Sequence, residues 1–147
     1  MTIRVRLATF LIAGAVIGLE LAFMRILSLR FWYYFAAMVL GVALLGFGFS
    51  GTLLTLLQKH IKPRRRLWLG GLAFSSGLAA LLSAWSVQLI PLDIHFLAWN
   101  IQAEWLHILE VELLMLLPFG LMGGFLGLVL MEKPGLIPGH YAANLAG

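Results

Sequence analysis

Four long runs of apolar residues dominate this chain, and the polar positions fall almost entirely between them. Leu7 to Leu29 is the first run, interrupted only by Glu20 and Arg25. The second extends from Tyr34 to Leu57 without a charge, and the third, Leu67 to Ile90, is also uncharged and ends at Pro91. The fourth, Val111 to Met131, carries Glu112 near its start and Pro118 inside it. A helix crosses a hydrocarbon layer of about 30 Å with about 20 mostly apolar residues. The pattern therefore predicts an all-α, polytopic membrane protein. Its spans cover about 7–29, 34–57, 67–90 and 111–131 of a single membrane domain, 1–147. The first run is too long and too polar in its middle for a signal peptide, so it is expected to remain in the mature protein.

The segments between the runs add two expectations. In 93–109, Ile94, Leu97, Ala98, Ile101, Trp105 and Ile108 recur at helical spacing, which predicts a short interfacial helix in the outer loop. Its polar residues are acidic, which favours docking on protein over lipid. Residues 132–147 read as a tail.

Composition agrees. The chain is 62% hydrophobic and 11% charged, with a mean hydropathy of +1.00. A soluble domain this small keeps too much of its surface in water to hide that many apolar groups. The absence of cysteine excludes disulfides, thiolate metal sites and cysteine nucleophiles.

Charge then orients the spans. The formal net charge is +4. Arg4 and Arg6 precede the first span, Lys59, Lys62, Arg64, Arg65 and Arg66 fill the loop after the second, and Lys133 follows the fourth. On the other side stands Arg30, with Arg25 about a turn inside the membrane, and 93–110 has no lysine or arginine. The positive-inside rule places both termini and the 59–66 loop in the cytoplasm, as expected for a bacterial inner-membrane protein. The loop's composition also matches a nucleic-acid-binding patch. Between two spans it reads instead as an anchor against anionic headgroups, and no nucleic-acid partner is expected. Arg30-Phe-Trp-Tyr-Tyr34 reads as an aromatic belt at the opposite interface.

Glu20 is the first candidate for chemistry. It lies about 20 Å into the first span, and Arg25 projects about 140° away from it on an ideal helix. An acid at that depth needs a partner or a cavity. It reads either as a cation or proton acceptor, or as one half of an interhelical contact, such as a pair with Arg25 of a neighbouring subunit. Gly14 and Gly18 form one small-xxx-small pair, and Gly120, Gly123, Gly124 and Gly127 form a second set; both favour close helix packing. Gly46-Phe-Gly-Phe-Ser-Gly51 has dinucleotide-fingerprint spacing but lies inside an apolar span with no preceding strand, so it reads as a packing surface. Glu104 and His107 have the spacing of a di-iron half-motif without the second pair such sites require. No metal, cofactor or catalytic residue is expected.

The run Glu20-Leu-Ala-Phe-Met-Arg25-Ile-Leu-Ser-Leu-Arg-Phe-Trp-Tyr-Tyr resembles the first two helices of integral membrane spermidine synthase-like proteins. The similarity continues through Ala43-Leu-Leu-Gly-Phe-Gly-Phe-Ser-Gly-Thr-Leu53, Ile90-Pro-Leu-Asp93, Leu117-Pro-Phe-Gly-Leu-Met-Gly123 and Tyr141-Ala-Ala-Asn-Leu-Ala-Gly147. Asn144 stands where that family usually has aspartate, and Tyr34 falls in a run that often includes histidine. The resemblance implies the N-terminal half of a permease-like membrane region, ending before the family's remaining helices and its cytoplasmic aminopropyltransferase domain. That enzyme domain's functional residues have no counterparts here. The expectation is a non-catalytic membrane-anchoring and assembly module whose partners are the lipid bilayer and further transmembrane helices, in a homo-oligomer or a companion membrane subunit. Two alternatives stand beside it: a subunit of a small cation or polyamine transporter using Glu20, and a recruiter of a soluble polyamine synthase through the basic loop.

Overall fold

The computed structural model describes residues 2–30, 34–91, 101–131 and 137–147. Every regular element among them is helical: α1 (Thr2–Arg30), α2 (Tyr34–Ile61), a 3₁₀ turn (Lys62–Arg64), α3 (Arg65–Ser86), α4 (Ile101–Leu130) and α5 (Ile137–Ala146). Four helices are long and apolar enough to cross a membrane: Ile3–Arg30, Ala37–Ile61, Arg65–Val87 and Glu104–Leu130. The shortest has 23 residues, or about 35 Å of helix, which still exceeds a hydrocarbon layer. The protein is an all-α polytopic membrane protein. Inside hydrocarbon each backbone group must find its partner within the protein, and helices meet most of that demand within their own segments. Pro63, in the tight turn after α2, separates it from α3. After α3 the chain tightens through Gln88 N–H to Trp85 O and Leu89 N–H to Ser86 O before Pro91.

α4 is the hub. Half of its most apolar stretch (50%) is buried, against 17% for the corresponding stretch of α3. Phe23 and Leu27 of α1, Val39, Val42 and Ala43 of α2, and Val87 with Ile90 beyond α3 join Val111, Met115, Phe119 and Met122 in one buried cluster. The Phe23 and Phe119 rings meet edge to face with centroids 6.1 Å apart, a favourable arrangement for two aromatic quadrupoles. A smaller cluster of Leu54, Ile61 and Leu128 closes the end carrying the basic loop.

α2 and α4 approach most closely at Gly46. A Cβ there would stand 2.9 Å from both the backbone nitrogen of Gly120 and the Cβ of Phe119. Further along, a Cβ on Gly123 would stand 2.8 Å from the Ser50 hydroxyl, and one on Gly127 would stand 2.8 Å from a Leu54 methyl. Gly46, Ser50 and Leu54 thus descend along Gly120, Gly123 and Gly127, so the two helices run parallel with backbones held close by missing side chains.

Two boundaries differ from the expectation. Residues 101–109 belong to α4 and do not form a separate interfacial helix; 93–100 lie outside the described residues. The buried stripe Glu104, Ile108, Val111, Met115 and Phe119 runs through position 110 at unbroken helical spacing, and neither glycine nor proline occurs between 101 and 117. Second, the segment read as a tail contains α5, which lies against α1. Gly139 sits at Arg6, and Gly147 sits against Phe10 and Gly14. The two helices therefore advance in the same direction, side by side. Gly139 and Ala143 on one face of α5, and Gly147 just after its last residue, follow at intervals of four and are each half-buried. A Cβ on Gly147 would stand 2.9 Å from the carbonyl carbon of Phe10 and 3.1 Å from the nitrogen of Gly14.

Gly46→Ala is expected to lower stability by about 1–2 kcal/mol, because backbone atoms opposite it cannot yield. Gly48→Ala, with nothing among the described residues within 4 Å of the new atom, is expected to raise stability by up to about 1 kcal/mol through helix propensity. Reversible unfolding in detergent micelles compares the two.

Candidate functional site

The polar side chains of the spans divide into those that bond to another helix and those that do not. Ser83 belongs to the first group. It is buried on α3, and its hydroxyl donates to the Leu114 carbonyl of α4 at 2.6 Å. The reason lies four residues further along α4, at Pro118. A helical carbonyl normally accepts from the N–H four residues on, and proline has none. Ser83 supplies the missing donor from the neighbouring helix, which is how a proline is accommodated inside a membrane span.

Arg30 and Arg65 do comparable work at opposite ends of the bundle. From the last residue of α1, the Arg30 guanidinium donates to Val87 O at 2.9 Å and to Ile90 O at 2.7 Å. From the first residue of α3, Arg65 donates to Leu128 O at 3.0 Å. Both therefore serve carbonyls at or beyond the C-terminal ends of other helices, where backbone acceptors are left over and the helix dipole favours a cation. The sequence placed Arg30 in an interfacial belt and Arg65 in a basic anchor. The structure adds that each fastens one helix to another.

Glu20 and Arg25 lie in the second group. Glu20 is half-buried on the inward stripe Thr9, Ala13, Val16, Glu20, Phe23 and Leu27. Arg25 is exposed on the opposite side of α1, so the structure does not bring the two together. Among the described residues Glu20 makes no hydrogen bond or ion pair. Glu112 is half-buried in α4 and lines a cavity of about 320 Å³ with Met38, Val42 and Leu45 of α2. Glu104 is buried, with an Oε2 3.6 Å from His107 Nδ1 one turn on. No cluster of three or more metal-ligating side chains occurs among the described residues.

In the basic loop, Lys59, Arg64 and Arg66 are exposed, Lys62 lies in the 3₁₀ turn, and Arg65 turns inward. Of the glycines singled out by spacing, Gly46, Gly120, Gly123 and Gly127 lie on the α2–α4 contact, and Gly124 packs on Leu72 of α3. Gly14 meets Gly147, the residue after α5. Gly18 is exposed, and among the described residues nothing stands within 4 Å of where its Cβ would be. Ser83 went unnoticed in the sequence, although a serine in one uncharged span and a proline in another were visible signals.

Compared with protein-family models, with characterised proteins and with solved structures, the chain matches none.

Ser83→Ala is expected to destabilise the bundle by about 1 kcal/mol, the scale of an interhelical hydrogen bond in a membrane. In a Pro118→Ala background the same change should cost close to nothing, because the restored N–H at position 118 occupies the Leu114 carbonyl. A double-mutant cycle from unfolding in micelles reads the coupling; equal costs in both backgrounds would show that the carbonyl is not shared. Arg30→Gln should leave the fold intact and speed backbone exchange in residues 87–90, measured by hydrogen–deuterium exchange.

Proposed function

We infer that the chain is a membrane-anchoring and assembly module of the cytoplasmic (inner) membrane, with its basic loop on the cytoplasmic side. The observation that carries this reading is how the polar groups bonded across helices are used. Arg30, Arg65 and Ser83 all donate to backbone carbonyls of another helix, while glycines bring backbone close to backbone at Gly46 with Gly120 and at Gly14 with Gly147. Chemistry in this bundle is directed at holding helices together. The packing of α5 along α1 extends the same logic, since a helix entering beside α1 uses the same glycine contacts that join α2 to α4. The resemblance to the membrane region of spermidine synthase-like proteins supports the reading, because there such helices serve a larger assembly. On this reading the partners are further transmembrane helices, supplied by a second copy or by a companion subunit.

A second reading is favoured by one observation. Glu20 occupies the inward stripe of α1, and an acid held there costs at least a few kcal/mol unless it is used. Such a group suits a cation or polyamine transporter subunit.

Two measurements separate the readings. Reconstituted in liposomes, the protein is expected to move spermidine and monovalent cations no faster than protein-free vesicles, and Glu20→Gln should change nothing. Flux that disappears in Glu20→Gln would replace the assembly reading with transport. In nanodiscs the protein is expected to form a stable complex with itself or with a co-purifying membrane subunit, read by mass. A lone monomer with no companion would overturn the assembly role.

A further inference from the structure

α2 and α3 follow one another in sequence and both rest on α4, yet they hardly touch each other beyond the turn that joins them. Between them lies a half-open groove of about 510 Å³, floored by α4. Its walls include Leu53, Leu57 and Ile61 of α2, Trp68 and Leu72 of α3, and Leu117 of α4. Ser50 is the sole hydroxyl among the lining residues, and it is bonded to Phe47 O of its own helix. The groove runs from the middle of the bundle to the end where Ile61 and Trp68 flank the basic turn. Arg64 at the end of that turn and Arg66 at the start of α3 are exposed cations within one helical turn of the lining, while Arg65 is bonded to Leu128 O.

We propose that this groove is a binding site for an anionic phospholipid, with one acyl chain along α4 and the phosphate at Arg64 and Arg66. Size selects the occupant. Two turns of a helix about 10 Å across fill roughly 850 Å³, more than the groove contains, whereas its volume lies in the range of small-ligand sites. Apart from Ser50, whose hydroxyl is bonded within its own helix, and Trp68 at the mouth, the walls are hydrocarbon, which suits a chain and not a polar solute. Charge selects the headgroup, since basic residues at a membrane surface draw anionic lipids over zwitterionic ones. Trp68 stands at the mouth, where an indole is at home between headgroup and hydrocarbon. The smaller cavity between α2 and α4 carries Glu112 in its wall and would repel the same headgroup.

Trp68 makes the test direct. In a variant keeping it as the sole tryptophan (Trp32→Phe, Trp85→Phe, Trp99→Phe, Trp105→Phe), its fluorescence is titrated with phosphatidylglycerol or phosphatidylcholine brominated in the acyl chains. Half-quenching is expected at about tenfold lower mole fraction of the anionic lipid. Arg64→Gln with Arg66→Gln, both exposed, should reduce that preference to about twofold or less. Leu53→Phe with Leu117→Phe, which fill the groove, should weaken quenching by both lipids. Circular dichroism and monodisperse elution establish that each variant is folded, and the arginine pair keeps the test intact if the groove pair is not. Equal quenching by the two lipids in the parent, or quenching unaffected by the filled groove, would mean ordinary boundary lipid and overturn the proposal. So would protection of Trp68 from both lipids together with cross-links between copies through a cysteine placed at position 53, which would assign the groove to a second copy.

Discussion

A backbone carbonyl inside hydrocarbon has no water to accept from, and much of this bundle follows from where such carbonyls are left over. Helices satisfy their own interiors, so the deficits fall at helix ends and at prolines. Pro118 leaves one at Leu114, in the middle of the most buried helix, and Ser83 of α3 covers it. The ends of α3 and α4 leave more, and Arg30 and Arg65 reach them from α1 and α3. These bonds set which helix neighbours which: α3 is tied to α4 at mid-depth and at the basic end, and to α1 at the other end. Each lies at a different level, so together they restrain both the tilt and the rotation of α3, whose apolar surface is the least buried of the four spans.

Where such bonds are absent, close contact takes their place. Lipid is as apolar as leucine, so helices in a bilayer gain little from burying side chains against one another, and packing density has to supply the attraction. The α2–α4 crossing achieves it by removing side chains: backbone meets backbone at Gly46 and Gly120, and Gly123 and Gly127 make room for the side chains of Ser50 and Leu54. Gly14 of α1 and Gly147, just beyond α5, repeat the device, and Gly139 makes room for the Arg6 side chain. α4 therefore sits at the centre by two different means, glycine contact towards α2 and carbonyl bonding towards α3. The two means leave different gaps: tight along α2–α4, open between α2 and α3 where the apolar groove lies.

Glu20 and Arg25 stand outside this scheme. Both are ionisable groups within a span, and neither is used to fasten one described helix to another. Their positions on opposite faces of α1 separate an inward acid from an outward base, and an outward base close to a helix end reaches the interface along its own aliphatic stem. The acid has no such escape, which is why it remains the residue on which the assembly and transport readings diverge.

Much was legible in the sequence because it depends on quantities local to a segment. The length of an apolar run against the thickness of hydrocarbon, and the cost of a charge within it, determine that there are four spans and where the basic residues gather. The glycine set of α4 was visible for the same reason, since spacing along a single helix is enough to define a face. What spacing cannot tell is which face meets which. Gly14 and Gly18 look equivalent in sequence, yet one lies against Gly147 and, among the described residues, nothing stands within 4 Å of where a Cβ on the other would be. The break expected at residue 110 is absent because burial against the other helices continues the α4 stripe through it. Ser83 and Leu114 lie 31 residues apart, Arg30 and Val87 lie 57 apart, and Arg65 and Leu128 lie 63 apart. No local pattern links them, because each bond exists only once packing has brought a spare donor within 3 Å of a carbonyl that its own helix cannot satisfy.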